Sequence, residues 1–412
     1  QDLVWSPDGE LIATALHARG IVQVWKIDDP SWTCKIDEGD WGLTSSHWSP
    51  DSRHILNTSL FHSRISIWSL INKQMMYIDS PKECPGCGFA FTSCGQYLAV
   101  PEKRGGVESV IILSTSSWQL VTRFETETSD LGGLCWSHDD LIVCIWDGPV
   151  HFKVLFYLPF GELLGKFEPS ECSIGISCVR WAPTSALVAI GSHDNKVRLV
   201  NGLTFHMAVC WHTALEELDS EDLEDAIIYE EVPINSDSEE SSLFPDTRYR
   251  VASWTIPDKE GCESPVMPKM GDIQLTFSPS SHHIAGHSKG SPMHLFIWDL
   301  KKTFSLKAVL IQMNPIKHFA WDAQEEFLAV CTGNDKVYMW SPEGCLAVRV
   351  PQANTELDIS RLKWQPRSGT EPSAHTSLCV VGSSHISVCI MDSVGVLESA
   401  ASASSEDSSC SR

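Results

Sequence analysis

The sequence is short of positive charge: 30 Lys and Arg stand against 53 Asp and Glu, a formal net charge of −23. Proteins that wrap nucleic acid or bind anionic membranes need a basic surface, so neither ligand is expected. The chain also lacks an uninterrupted apolar run of the roughly 18 residues that a membrane-spanning helix requires. No secretory signal opens it, and its 15 cysteines are irregularly spaced. These absences predict a soluble intracellular protein with reduced thiols.

Motifs of common catalytic sites are missing as well. The sequence has no Gly-rich phosphate loop ending in Lys-Ser or Lys-Thr, no Gly-x-Ser-x-Gly elbow and no His-Glu-x-x-His helix. A hydrolase would then need carboxylates or a Ser-His pair that converge from distant parts of the chain. We expect no enzyme, no catalytic residue and no cofactor.

Two clusters invite a metal interpretation. In "CPGCG", Cys84 and Cys87 have a metal-like spacing and Cys94 follows, but a structural zinc site needs four ligands and no second pair exists. The simpler interpretation is a tight turn. Three histidines in a Ser-rich turn and the strand after it are interpreted as surface or edge residues: His282, His283 and His287. We therefore expect no metal site.

What the sequence does contain is a repeat. Residues 4–13, "VWSPDGELIA", have the pattern of an apolar strand, a Ser-Pro-Asp-Gly turn and a second apolar strand. Aromatic anchors end the first strand of each repeat about 44 residues apart, with one longer interval: Trp5, Trp48, Phe91, Trp136, Trp181, Phe277, Trp321 and Trp364. Four tryptophans mark a later strand: Trp25, Trp68, Trp298 and Trp340. Such wide rings fill the wedge between neighbouring sheets, so all ten tryptophans among these anchors are predicted to be core.

This period predicts an all-β fold: a WD40-type β-propeller of seven or eight blades with an acidic insertion. The Gly-His dipeptide expected about ten residues before each first anchor is missing throughout. We predict a single propeller over 1–395, the insertion at about 214–270 and a disordered Ser-rich tail at 396–412. Residues 214–246 contain 13 acidic side chains and no Lys, Arg or His. Within the insertion, "AIIYEEVPI" and "YRVASWTIP" could pair as a hairpin flanking a disordered acidic tip.

A set of basic residues accompanies the repeat. They occupy the turn between the second and third strands, and in a propeller such turns emerge on one face: Arg19, Arg64, Arg104, Lys153, Lys196, Lys289 and Lys336. The seven could form a partner-binding ring, or they could simply solvate turns such as "HDNKV"; both interpretations stay open. The acidic insertion would compete with an acidic partner helix for such a ring. Ser236 and Ser238 precede acidic residues and are candidates for phosphorylation, which would strengthen that competition.

Three segments carry a resemblance to a known family. "WTCKIDEG" at 32–39, "RHILNTSLFHSRISIWSL" at 53–70 and "WSPEGCLAVRVP" at 340–351 resemble the centrosomal WD-repeat family encoded, in vertebrates, antisense to a tumour-suppressor homologue. The resemblance covers most of residues 1–395. It implies a non-enzymatic scaffold in the cytoplasm and cytoskeleton, at centrosomes or spindle poles, that binds a coiled-coil partner and helps anchor microtubule minus ends.

The same resemblance implies support of spindle assembly and cilium formation, an association with a minus-end-directed kinesin as in fungal relatives, and indirect contact with microtubules. Chains of the family begin with a further repeat, so this sequence resembles a fragment that lacks an N-terminal blade. One alternative is a substrate receptor of a ubiquitin ligase, which would need a Trp-Asp-x-Arg submotif that "WKID", "WSLI", "WDLK" and "WSPE" lack. "KRGG" at 103–106 is similar to the Phe-Arg-Arg-Gly motif of phosphoinositide-binding propellers but lacks its Phe and one Arg. We therefore do not expect a lipid-binding propeller.

Overall fold

The computed structural model describes the following residues: 2–29, 31–84, 88–169, 173–218, 223, 225–234, 247–252, 271–301, 303–350, 358–365, 375–382, 386–392 and 397–399. They form eight β-sheets and four short 3₁₀ helices, His17–Arg19, Gly39–Trp41, Leu60–His62 and Leu215–Glu217. None of the helices in this described part is long and apolar enough to cross a membrane.

The chain divides into two compact units. Unit 1 comprises residues 1–193 and 199–208, and unit 2 comprises residues 194–198 and 209–412. Each unit has its own clusters of buried apolar side chains. The extent of a single propeller over 1–395 stays a prediction.

The first four sheets belong to unit 1 and order their strands as the chain does. Sheet 1 contains β1 (Asp2–Trp5), β2 (Leu11–Leu16), β3 (Ile21–Lys26) and β4 (Thr33–Asp37). Sheet 2 contains β5 (Ser45–Trp48), β6 (His54–Thr58), β7 (Arg64–Ser69) and β8 (Met75–Asp79). Sheet 3 contains β9 (Ala90–Phe91), β10 (Tyr97–Arg104), β11 (Val107–Ser114) and β12 (Leu120–Glu125). Sheet 4 contains β13 (Leu131–Trp136), β14 (Val143–Asp147), β15 (Val154–Tyr157) and β16 (Leu163–Phe167).

The remaining sheets repeat this order, with one addition in sheet 6. Sheet 5 contains β17 (Ile176–Trp181), β18 (Leu187–Ser192), β19 (Lys196–Asn201) and β20 (Met207–His212). Sheet 6 contains β21 (Ile227–Pro233), β22 (Thr247–Ala252), β23 (Ile273–Phe277), β24 (His283–Ser288), β25 (His294–Asp299) and β26 (Ser305–Ile311). Sheet 7 contains β27 (His318–Trp321), β28 (Leu328–Cys331), β29 (Lys336–Ser341) and β30 (Gly344–Arg349). Sheet 8 contains β31 (Ile359–Trp364), β32 (His375–Gly382), β33 (Ile386–Asp392) and β34 (Leu397–Ser399).

The repeat pattern located the strands closely. All eight predicted anchors, from Trp5 to Trp364, are the last residue of the first strand of a repeat. The four later tryptophans each lie next to last in a third strand of the repeat. The predicted all-β, WD40-type β-propeller fold is confirmed, with eight sheets as its blades.

Turn chemistry explains why these strands reverse where they do. In sheet 1 the Ser6 hydroxyl donates to Asp8 Oδ1 at 2.6 Å and accepts from the Leu11 backbone N–H at 2.9 Å. Gly9 follows with φ +74°, a left-handed conformation that glycine adopts without a Cβ clash. A Ser-Pro-Asp-Gly stretch therefore closes a tight connection between two strands by purely local bonds.

The anchoring tryptophans of sheets 2 and 4 face the preceding sheet. The indole N–H of Trp48 donates to the carbonyl of Val4 at 3.1 Å, and that of Trp136 donates to Ala90 at 3.1 Å. Unit 2 repeats this bond at Trp321 and Trp364. A buried indole needs such an acceptor, so each bond both satisfies the ring and aligns two neighbouring sheets.

The core prediction is wrong for Trp5 and Trp25, which are 53% and 44% exposed. Strand register shows why. Trp5, Ile12 and Trp25 lie opposite one another across β1, β2 and β3, so they share one face of sheet 1. Sheet 2 packs on the other face, through Val4 and its neighbours. The tryptophan positions that are buried in later sheets are therefore exposed to solvent in sheet 1.

The insertion forms the hairpin that its alternation predicts. Strands β21 and β22 pair antiparallel from Ile228 opposite Ala252 to Pro233 opposite Thr247. The sequence did not indicate that β21 would also pair, in parallel, with β26 at the outer edge of sheet 6. Ser236, Ser238 and the acidic tip lie outside the described residues.

Candidate interaction surface

Four of the seven predicted basic residues belong to unit 1. Each lies at or next to the connection between the second and third strands of its sheet: Arg19, Arg64, Arg104 and Lys153. Arg19 is exposed. The other three lie within 4 Å of a carboxylate oxygen, so much of their charge is compensated inside the protein. Their role in partner binding stays a prediction.

Arg64 is part of a cluster around a buried carboxylate. Glu38 is only 4% exposed, and its Oε1 accepts from Asn57 Nδ2 at 2.8 Å, Ser66 Oγ at 2.6 Å and the Trp68 indole at 2.7 Å. The Arg64 guanidinium lies 3.6 Å from the other oxygen, Oε2. Burying a carboxylate is costly unless its oxygens are paired, and here both oxygens have donors or a cation.

Glu38 fills a position that the sequence left unexplained. It stands about ten residues before Trp48, where a Gly-His dipeptide is expected in this type of repeat. Its carboxylate accepts a hydrogen bond from the indole N–H of the third-strand tryptophan. The segment that precedes sheet 2 is thereby bonded to the third strand of that sheet. The only sequence signal was the Glu-Gly pair at 38–39, which an acidic chain makes easy to overlook.

Sheet 3 contains a second buried acid beside a predicted residue. Glu102 is 1% exposed, lies 2.5 Å from the Nε of Arg104 and 3.1 Å from Arg123. Both guanidinium groups are about half exposed, so they reach solvent while neutralising the carboxylate below them. Arg104 thus has a structural partner in addition to any external one.

A third acid, Glu108, joins sheet 3 to sheet 4. Its carboxylate accepts from Lys82 Nζ at 2.5 Å, Thr128 Oγ1 at 2.8 Å and the Leu131 backbone N–H at 2.7 Å. Burial by itself would raise the pKa of Glu108, but these hydrogen bonds outweigh it and the pKa lies below its usual range. Glu108 is therefore charged at neutral pH and holds two sheets together.

The other three basic residues belong to unit 2 and differ from one another. Lys196 is half-buried at the start of β19, and Lys289 is exposed and pairs with Asp272 at 2.7 Å. Lys336 is only 6% exposed, and its Nζ donates to Thr247 Oγ1 at 3.1 Å. Lys336 is therefore buried against the inserted hairpin rather than exposed at a turn, and its role in partner binding stays a prediction.

Further polar contacts dock the hairpin. Glu231, 5% exposed, accepts the Tyr338 hydroxyl at 2.7 Å and the Met313 backbone N–H at 3.0 Å. Tyr338 in turn accepts from Asn334 Nδ2 at 2.7 Å. Burial, together with the neighbouring Glu231, raises the pKa of Tyr338, so the phenol stays protonated and able to donate. The acidic insertion is thus anchored to sheet 7 beside Lys336 by its own hairpin.

The candidate metal residues have ordinary partners. Cys84 is buried, its thiol contacts the Leu131 carbonyl at 3.6 Å, and burial raises its pKa to about 12. Cys87 lies outside the described residues. The interpretation of His283 and His287 as surface or edge residues is wrong: both are buried, and their strand β24 lies inside sheet 6 between β23 and β25. His283 is bonded to Glu326 at 2.8 Å and His287 to the His294 carbonyl at 3.0 Å. Among the described residues no group of three or more possible metal ligands is present.

Unit 1 contains a cavity of about 480 Å³ beside the strands β13 and β17. Its charged lining includes Lys82 and Asp130, which pair at 2.6 Å, and Arg180. Although Ser177 lines the cavity, no histidine does among the residues that the structure describes, so it offers no Ser-His pair.

Comparison with known proteins agrees with this architecture. Residues 161–201 match the family model "WD domain, G-beta repeat". The mouse protein named WD repeat-containing protein WRAP73 is 37% identical over 414 residues, which covers 95% of this chain and 85% of the mouse protein. The chain belongs to the WRAP73 family of WD-repeat proteins. An uncharacterized WD repeat-containing protein of Schizosaccharomyces pombe is 24% identical to this WRAP73-family chain over 68% of its length and 55% of the yeast protein.

A solved structure is similar in fold. The crystal structure of the C-terminal WD40 domain of Sif2 superimposes with a TM-score of 0.50 at 13% identity, covering 85% of this chain and 81% of that chain. At so low an identity the likeness concerns the fold of this WRAP73-family chain alone. The WD-repeat family and the fold together support a general role as a protein-interaction scaffold.

Proposed function

We propose that this protein is a non-enzymatic scaffold of the centrosome or spindle pole that binds a coiled-coil partner and helps anchor microtubule minus ends. The observation that carries the proposal is the 37% identity with mouse WRAP73 over 95% of the chain. The resemblance of residues 32–39, 53–70 and 340–351 to the centrosomal WD-repeat family gives the proposal its location and its partner class.

Several features of the chain support a role in binding proteins. The net charge of −23 disfavours nucleic acid and anionic membranes as ligands. The buried carboxylates of Glu38 and Glu231 accept hydrogen bonds from neighbouring side chains and so have structural roles. In this proposal the chain acts in the cytoplasm and cytoskeleton, a minus-end-directed kinesin joins the complex, and microtubules are reached through these partners. Support of spindle assembly and cilium formation would follow.

The test combines localisation with partner identification. A fluorescent fusion should concentrate at centrosomes or spindle poles, and affinity purification with mass spectrometry should recover a coiled-coil protein in near-stoichiometric amount. Depletion of the protein should detach minus ends from the pole in a microtubule regrowth assay. A diffuse fusion with a ligase adaptor as its stable partner would contradict the proposal and favour a ubiquitin-ligase receptor.

A further inference from the structure

Unit 1 exposes a cluster of apolar side chains on sheet 2, and none of them belongs to the predicted set of interaction residues. Trp41 is 50% exposed, Leu60 46% and Phe61 94%. Trp41 ends the short helix between β4 and β5, and the other two lie in the helix between β6 and β7. We call these three residues the Phe61 patch.

The Phe61 patch spans two connections that touch each other, and its Trp41 ring is held in place from below. Leu60 packs directly over Gly42, where a Cβ would overlap its side chain, so the two connections touch. The guanidinium of Arg64 lies 4.2 Å from the centroid of the Trp41 ring, a cation-π contact. Arg64 is itself held by the buried Glu38 at 3.6 Å. The Trp41 ring is therefore positioned by a chain of charged contacts that ends in the core of sheet 2.

Phe61 has an unfavourable backbone conformation although its side chain is 94% exposed. Its φ of 58° and ψ of 20° are left-handed, which is rare for a bulky residue. Two other aromatic residues of unit 1 have a positive φ, but both pack: Trp118 is 8% exposed, and Phe205 stacks on Phe156 at 4.4 Å. Because strained conformations cluster at functional sites, this conformation at a side chain that is 94% exposed makes Phe61 a candidate binding position.

The size of the Phe61 patch is that of an anchor. Aromatic side chains present about 150–250 Å² each, so the exposed parts of Trp41 and Phe61 amount to about 300 Å². Patches of this size on a single protein are often functional. A stable interface buries about 800 Å² per partner, so a few such side chains would be the hot spot within a larger contact, and Trp and Arg are enriched at hot spots.

We propose that the Phe61 patch is the anchor for an amphipathic helical partner, in which Phe61 enters an apolar hole between helical side chains and an acidic residue faces Arg19. A side chain that is 94% exposed protrudes and therefore suits a recess in the partner, and four side chains on the face of a helix form such a hole in coiled-coil packing. Arg19 is exposed and lies in the connection whose Gly20 carbonyl accepts from the Glu38 backbone at 2.9 Å, next to Trp41. This proposal rests on the proposed function for its partner class.

The test uses the full chain and a matched control. Phe160 is 79% exposed and also lies in a turn, between β15 and β16. In affinity purification, Phe61→Gly should reduce the recovered coiled-coil protein about 30-fold, the effect of losing a hot-spot residue. Phe160→Gly should leave recovery unchanged. Because glycine adopts the left-handed conformation freely, Phe61→Gly should keep or raise the melting temperature while binding is lost, a combination that misfolding does not produce.

A photo-crosslinking phenylalanine analogue at position 61 identifies the contact directly. The crosslinked peptide should have apolar residues at heptad spacing and carboxylates beside them, and Arg19→Glu should weaken binding most at low salt. Crosslinks to a non-helical segment, to lipid or to a second copy of this chain would overturn the inference. If the parent chain binds a coiled-coil protein and Phe61→Gly binds it equally, this inference fails while the proposed function stands. If the parent recovers no coiled-coil protein, both fail.

Discussion

The third-strand tryptophan position of the repeat is buried in one sheet and exposed in another, and this difference allows one prediction to be worked out in detail. Trp340 is 2% exposed, with Trp321 edge-on at 5.9 Å and His283 at 5.5 Å. Replacing it by Ala removes most of an indole from a closed cluster, and such truncations cost about 3–5 kcal/mol. Trp25 occupies the same repeat position in sheet 1 but is 44% exposed, so Trp25→Ala should cost less than about 1 kcal/mol.

Thermal unfolding of the two variants beside the parent measures this difference. An unfolding entropy of about 2 cal/mol/K per residue over the 412 residues converts a loss of about 4 kcal/mol into a melting temperature about 5 °C lower for Trp340→Ala. Trp25→Ala should shift it by about 1 °C. Two equal shifts would refute the reasoning, because they would show that the register does not decide which anchor is buried. A Trp340→Ala shift below 1 °C would show that the ring does not fill a closed space.

Three further results are expected. Tyr338→Phe removes the donor to Glu231 and leaves a buried carboxylate oxygen unpaired, which should lower the free energy of urea unfolding by about 1–3 kcal/mol. Limited proteolysis within the insertion should become faster. An unchanged digest would contradict the docking of the hairpin on sheet 7. Glu38→Ala leaves the Trp68 indole and its polar neighbours without their acceptor and should lower the free energy of unfolding by about 3 kcal/mol or more. Trp68→Phe with Glu38 intact should lower it by less. Because the pKa of Glu108 is lowered in the folded state, the stabilisation by its carboxylate is present above about pH 4.3 and is lost as the pH falls through the lowered pKa. Glu108→Gln should therefore make the free energy of unfolding less dependent on pH in that range. An unchanged pH dependence would be inconsistent with the hydrogen bonds of Glu108.

The sequence placed most of the strands because their signals are local. A Ser-Pro-Asp-Gly turn closes on itself through Ser6 and Asp8, so its four residues are sufficient to predict it. Alternating apolar residues and a recurring aromatic position give strand ends that agree with the structure from Trp5 to Trp364. The hairpin of the insertion was predictable for the same reason, since β21 and β22 pair within one short stretch.

Only the tertiary structure decided which of these residues meet a neighbour and which do not. Trp25 and Trp340 have the same repeat position, but burial depends on the sheet packed against each. Lys336 is a turn residue in sequence, yet the hairpin covers it because β21 joins a strand more than 70 residues further along the chain. Glu38 and Phe61 gave no periodic signal at all. Glu38 accepts hydrogen bonds from three residues that are distant in sequence, and Phe61 is exposed in a turn with a left-handed backbone conformation. Contacts between segments distant in sequence leave no local pattern from which to predict them.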